Sequence, residues 1–498
     1  MAPREDSVER TPRRRERHEA PARERLMSDA IGVPGLVFFV VAAAAPLTVM
    51  AGAAPLTIGI GNGIGAPGAY ALAGVVLLLF AVGYTAMSRF VQNAGAFYAY
   101  IAQGLDKRLG LGAAFVALWT YNTIQIGLYG LFGLFASTVI ADRFGLSLSW
   151  QAWAFIGIAL VFVLGVRRIT LSAWVLGVVL IAEVAILSVM ALGIVFAGGD
   201  SGLSLVSFEP GNIFSGAPGV AFMFGFAAFI GFEATAIYGE ESRDYRHTVS
   251  RATYIAVAFL GIFYAFVCWS IVNAYGTANV AQTAAETPDT LFFDATTRYV
   301  GSFATDLMEI LIVSSIFAAL LAFHNATNRY FYALGREGAL PRQLGITHST
   351  YRSPWVAGVV QTALAGIVVG IFALTGADPL LDLLSWLTGS GTVGILLLQA
   401  LTSIAVLGYF RRRRDLDDRP WNTMVAPILG AIGLLAGEVL VLTNFDILTG
   451  ASTGVNLALT LPIPLLAAIG YLLAVRMRRT RPERYEGIGT VRVADTSV

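Results

Sequence analysis

Carboxylates are scarce in the long apolar stretches of this sequence, so those that occur there are the first candidates for chemistry. Glu183 stands alone between Ala182 and Val184, near the middle of an apolar run from 172 to 197. Charging a carboxyl at the centre of a bilayer costs roughly 2.5–3.5 kcal/mol on insertion scales. A group held there either takes and releases a proton as its access to water changes or is a satisfied structural carboxyl. Both readings stay open. Glu233 closes the stretch Phe229-Ile230-Gly231-Phe232-Glu233, after a first glycine at Gly225; it is a structural brace or gate at an interrupted helix, or a contact to substrate. Asp306, Glu309 and Glu438 lie close enough to the outer ends of their runs to reach headgroups. Tyr121, Gln125 and Tyr129 recur every four residues and so stack on one helix face. Polar atoms in hydrocarbon are costly unless paired, so this stripe faces other helices, where it lines a cavity or joins neighbours. Ser314, Ser315 and His324 share a further apolar run.

The elements that carry these residues follow from composition. The chain has 498 residues, 56% apolar and only 13% charged, where ordinary globular proteins hold about a quarter charged residues. Runs of the roughly 20 apolar residues that cross a bilayer follow one another from Val33 to Val475. They lack the two-residue alternation of a membrane barrel. The sequence therefore predicts an all-α polytopic membrane protein with twelve spans, at 33–57, 67–90, 113–141, 149–166, 172–197, 217–238, 252–275, 303–326, 355–376, 383–410, 423–444 and 455–477. With both termini in the cytoplasm, all of the 33 basic residues except Arg143 and Arg298 fall on the inner side. The positive-inside rule predicts that bias, and a wrong count would scramble it. Residues 1–26 are Arg-rich and without an apolar core, and read as a disordered cytoplasmic tail rather than a signal peptide.

Spans 1 and 6 are interrupted in the same way. Span 1 holds Ala42-Ala43-Ala44-Ala45-Pro46-Leu47-Thr48, and proline inside a helix removes a bond and clashes with the preceding turn. Span 6 holds Gly225 and Gly231. Interrupted spans at corresponding places of two halves point to a transporter binding site. Five helices separate the two, and an odd repeat length sets the halves in opposite orientation. Ordinary packing kinks are the alternative, since Gly and Pro are common in membrane helices.

Three motifs carry a resemblance. They are Phe229-Ile230-Gly231-Phe232-Glu233 with Glu240-Glu241, then Asn328-Arg329 with Tyr332-Ala333-Leu334-Gly335-Arg336-Glu337-Gly338-Ala339-Leu340-Pro341, and Asn93-Ala94-Gly95-Ala96-Phe97-Tyr98-Ala99-Tyr100. In this order and on the inner face, the chain resembles the amino acid–polyamine–organocation superfamily from Gly32 to about Arg479. That resemblance implies a leucine-transporter-type fold of two inverted five-helix repeats, 27–197 and 198–410. An inner loop with two further helices would occupy 411–477, and a cytoplasmic tail 478–498. It implies alternating access around spans 1 and 6. The substrate carboxylate is expected at Ala45, Pro46, Leu47 and Thr48 and near Phe229, Ile230 and Gly231, where a broken helix offers free N–H groups and the positive end of a dipole. Tyr121 and Gln125 would line the same cavity. Glu183 falls about where proton-coupled relatives carry a helix-5 lysine. Ser314 and Ser315 correspond to the helix-8 hydroxyl pair that binds sodium in other carriers of this architecture; helix packing by small residues is their alternative. One departure is plain: the family commonly has a Gly-Ser-Gly-like run at the first break, whereas this chain has Ala-Ala-Pro-Leu-Thr.

The implied function is secondary transport of amino acids or related amines across the cytoplasmic membrane, coupled to protons or sodium. A polyamine or ethanolamine carrier, an exchanger and a non-transporting nutrient sensor on the same fold are the rivals. A membrane-embedded enzyme would need a nucleophile–base pair or a metal cluster at one depth, and no such set, metal site or cofactor motif is present. Gly63-Ile64-Gly65-Ala66-Pro67-Gly68 matches a dinucleotide pattern but follows no strand, and reads as a turn in a short outer loop. Arg411-Arg412-Arg413-Arg414 follows span 10 directly and is a topological anchor rather than a nucleic-acid site. Cys268 is the only cysteine, which excludes a disulfide framework. The mixed-charge segment 240–246 is an inner gate or a solvated face.

Overall fold

The computed structural model describes residues 32–91, 95, 97–167, 173–233, 235, 245–351 and 353–489, and among them every regular element is helical. Among the described residues, nine helical stretches are long and apolar enough to cross a membrane. The first, Val33–Ser88, is interrupted at Ala45 and again at Gly61 and Gly63, so it supplies spans 1 and 2. The shorter apolar helices Trp150–Val166 and Pro218–Ala227 stand at spans 4 and 6, and each of the twelve expected positions holds helix among its described residues. Large apolar side chains are nearly bare on the outside, with Leu374 90% and Phe196 85% exposed. Such a surface suits hydrocarbon and not water.

Spans 3 and 8 are among those longer than hydropathy indicates. Span 3 runs Lys107–Phe144. It begins where Asp106 accepts a hydrogen bond from the Arg108 amide at 2.7 Å, and ends at Gly145 in the left-handed region. Span 8 runs Ser302–Glu337, with Gly338 as its left-handed terminator. Asn325, Asn328 and Arg329 end its apolar run but contain no helix breaker, so the Tyr332–Arg336 motif is a continuation of the helix.

Elements between the spans position the breaks from either side. The 277–301 segment holds two helices, Val280–Glu286 and Leu291–Tyr299. The former lies hard against the part of span 1 after its break, where a Cβ added to Gly59 would sit 2.8 Å from the Ala285 amide nitrogen. Between spans 2 and 3 a buried helix, Phe97–Gly104, precedes span 3. The segment expected as a tail from 478 is helical to Thr480 and then forms Pro482–Gly487. It docks on Phe97–Gly104, where Gln103 Nε2 donates to the Gly489 carbonyl at 3.0 Å and Ile488 is fully buried. Residues 1–26, 93, 94 and 240–244, including part of the gate segment, lie outside the described residues.

Candidate functional site

Span 1 is helical over Val33–Ala44 and resumes at Pro46. The proline ring disfavours a right-handed helical conformation for the residue before it. Ala45 accordingly sits at φ 46°, ψ 70°, the only described non-glycine residue with positive φ. Pro46, whose φ is fixed and whose N–H is absent, then opens the next helical segment. The break frees backbone groups that must find partners. The Ala44 carbonyl accepts a hydrogen bond from the Tyr264 hydroxyl of span 7 at 3.5 Å. The Leu47 amide donates to Glu183 Oε2 at 3.4 Å. The same oxygen accepts a hydrogen bond from Ser315 Oγ at 2.8 Å, and Ser315 Oγ in turn accepts one from Thr48 Oγ1 at 2.9 Å. Glu183, 3% exposed, therefore joins spans 5, 1 and 8 through one oxygen.

The sixth span breaks differently. Its first half, Pro218–Ala227, ends in a run of turns through Glu233, within which Gly231 lies at φ 114°. Only glycine adopts that conformation without strain. The two breaks touch here, since a Cβ added to Gly231 would stand 3.4 Å from the Ala43 Cβ. Glu233 folds back on its own break: Oε2 accepts from the Gly231 amide at 2.9 Å, and Oε1 accepts from the Tyr121 hydroxyl. The Tyr84 hydroxyl of span 2 donates to the Glu233 carbonyl at 3.1 Å. Tyr121 is itself stacked on Tyr330, ring centroids 5.3 Å apart.

Between the breaks lies a cavity of about 70 Å³. Ala43, Ala45, Thr48 and Val49 form its span 1 wall, and Phe224, Ala227 and Ile230 its span 6 wall. Ile124 and Leu128 of span 3, Phe323 of span 8 and Thr388 of span 10 close it. None of its lining side chains is charged.

Of the residues singled out by sequence, Ala45, Thr48 and Ile230 line this cavity. Pro46, Leu47 and Gly231 are at the breaks but not on its wall. The Leu47 and Gly231 amides, expected to face a substrate carboxylate, are capped by carboxylates of the chain itself. Phe229 turns the other way, packing edge-on against Tyr264 with ring centroids 5.7 Å apart. The Tyr121–Gln125–Tyr129 stripe divides. Tyr121 holds Glu233, while Gln125 accepts a hydrogen bond from Gln361 of span 9 and donates to Tyr129 Oη at 3.1 Å. Gln125 thus joins helices, off the cavity wall, because an amide in hydrocarbon finds its strongest partner in another amide. The serine pair divides too: Ser315 meets Glu183, whereas Ser314 donates to its own helix at the Leu311 carbonyl, 2.9 Å away. His324 is buried with its ring beside Gly165 of span 4. Asp306 and Glu309 pair with Arg143 at the end of span 3, the Arg143–Glu309 distance being 2.6 Å. Thr388 went unrecognised in the sequence; the one available signal was its place at the head of Thr388-Gly389-Ser390-Gly391, where small residues let helices approach closely.

The amino acid permease family profile matches residues 31–469, which is most of the chain. The chain belongs to the amino acid permease family. It is a multi-pass membrane transporter, not an enzyme. The permease is 23% identical over 385 residues to a low-affinity putrescine importer of Escherichia coli (strain K12), an alignment covering 74% of this chain and 78% of the importer. It is 25% identical over 433 residues to a histidine permease of Lactococcus lactis subsp. cremoris, covering 81% and 86%. It is also 23% identical over 403 residues to a serine/threonine exchanger of Bacillus subtilis, covering 79% and 85%.

Proposed function

We propose that this permease moves an amino acid or related amine across the cytoplasmic membrane by alternating access, driven by protons, with Glu183 as the coupling group and substrate held between the two breaks. The observation that carries this reading is the bonding of Glu183. One buried carboxyl oxygen is shared by the backbone of span 1 and a hydroxyl of span 8, on elements that must part or shift if access alternates. Protonation removes an acceptor's charge from both contacts at once, so proton and conformation are linked. Sodium is the weaker alternative, because Ser315 donates to Glu183, Ser314 bonds its own helix and the freed Ala44 carbonyl is taken by Tyr264. Uptake of labelled amino acids and amines into proteoliposomes, with a proton or a sodium gradient imposed, tests it. Accumulation under the proton gradient is the expected result, and accumulation under sodium alone refutes the coupling assignment.

The same reading sets both termini in the cytoplasm, supported by the side on which the basic residues fall. Cys268 is fully buried, which leaves a quiet background for cysteine labelling. In intact cells an impermeant maleimide is expected to modify Thr290→Cys and spare Pro420→Cys, both positions being exposed; the reverse pattern inverts the topology.

A further inference from the structure

Thr388 is the cavity residue whose chemistry is unspent. Thr392 and Thr402 on the same helix donate to the carbonyl four residues earlier, both at 2.7 Å. Thr388 Oγ1 is buried and has no hydrogen-bond partner. The other hydroxyl on the wall, Thr48, is committed to Ser315. A buried hydroxyl without a partner is uncommon enough to need an explanation, and the residue that carries this one lines the cavity.

The rest of the wall restricts what that is. The lining offers no charged side chain to a second ammonium or carboxylate. The two carboxylates nearby are engaged, Glu183 by Leu47 and Ser315, and Glu233 by Tyr121 and Gly231. The space itself, about 70 Å³, is on the order of five waters, the scale of a small molecule and not of a long side chain.

Resting on the permease reading above, we propose that the substrate is a small neutral α-amino acid and that Thr388 is the contact that recognises a side-chain hydroxyl, favouring serine and threonine over alanine and valine. A diamine or a basic or acidic amino acid would bring an unpaired charge against an apolar wall. The cost of leaving such a charge unpaired corresponds to discrimination of about 100-fold or more.

Competition for uptake of labelled serine in proteoliposomes, by alanine, valine, threonine, lysine, glutamate and putrescine, tests the class. The small neutral amino acids are expected to compete about 100-fold better than lysine, glutamate or putrescine. Putrescine or lysine competing as well as alanine overturns the class while leaving the carrier reading intact. Thr388→Val preserves shape and removes the hydroxyl. It is expected to lower the serine-to-alanine ratio of kcat/KM by about three- to tenfold while thermal unfolding in detergent holds. An unchanged ratio overturns the Thr388 assignment, and uptake of none of these compounds overturns the carrier reading and this proposal with it.

Discussion

The first and sixth spans are broken at the same level, and each break is capped by a carboxylate, but the two caps are built in opposite ways. At the sixth, Glu233 reaches back two residues to the Gly231 amide and is pinned by Tyr121. At the first, Glu183 comes from 136 positions away in sequence to reach the Leu47 amide, and shares its oxygen with Ser315. A cap supplied locally moves with the break it serves, so it can brace but cannot report on anything else. A cap supplied by another helix ties the break to that helix, and the tie changes when the carboxyl gains or loses charge. The sixth and first spans thus place a locally capped joint and a joint capped from another helix side by side.

The largest expected effect tests the contact between the joints. Gly231→Leu forces a side chain into φ 114° and against Ala43. Displacements of an ångström at such a site can cost about 100-fold, so binding of labelled substrate should fall by at least that factor in protein that still elutes as a single folded species. Unchanged affinity would place the site elsewhere. Next is Glu183→Gln, which keeps the shape of the cap and removes its titration. Accumulation under a pH gradient should fall to the level seen without one, while counterflow exchange persists. A variant that still concentrates substrate in response to protons would end the distinction between the joints.

Glu233→Gln should do the complementary thing. Weakening the bonds from Gly231 and Tyr121 should lower stability by about 1–3 kcal/mol, read by thermal unfolding, and leave the gradient response of uptake in place. The comparison collapses if this variant loses proton-driven accumulation as Glu183→Gln does. The smallest effect separates the two serines. Ser315→Ala removes a donor to Glu183 and should move the pH midpoint of uptake; Ser314→Ala, whose hydroxyl serves only Leu311, should leave that midpoint where it is.

Much of this architecture is legible in the sequence because hydrocarbon is an unforgiving solvent. A span must be apolar over its whole length, so all twelve positions could be read from runs alone. The helices Phe97–Gly104, Val280–Glu286 and Leu291–Tyr299 escape that reading, because they are too short or too polar to cross anything. The positions of both breaks are equally local information, carried by Pro46 and by a glycine at 231. The partners at the breaks are not. Ser315 and Glu183 stand 132 residues apart and Gln361 and Gln125 stand 236 apart, and neither periodicity nor spacing links them. Sequence therefore separates Glu183 and Ser315 into rival schemes, one for protons and one for sodium, whereas the fold makes them neighbours. Thr388 is hidden for a related reason: whether a helical threonine spends its hydroxyl on its own backbone is decided by the rotamer, not the residue type.

Ala45 is an alanine bent to a glycine's geometry. Holding an L-residue in the left-handed region costs roughly 1–2 kcal/mol, and Ala45 bears that cost in the conformation seen here. Any stage of the transport cycle in which span 1 lets Ala45 relax is favoured by the same amount, a factor of about 5–30 in population. The first break is in this sense a wound spring. A glycine at this position would leave the cycle without that bias, so one methyl group sets part of the resting balance between the two sides of the membrane.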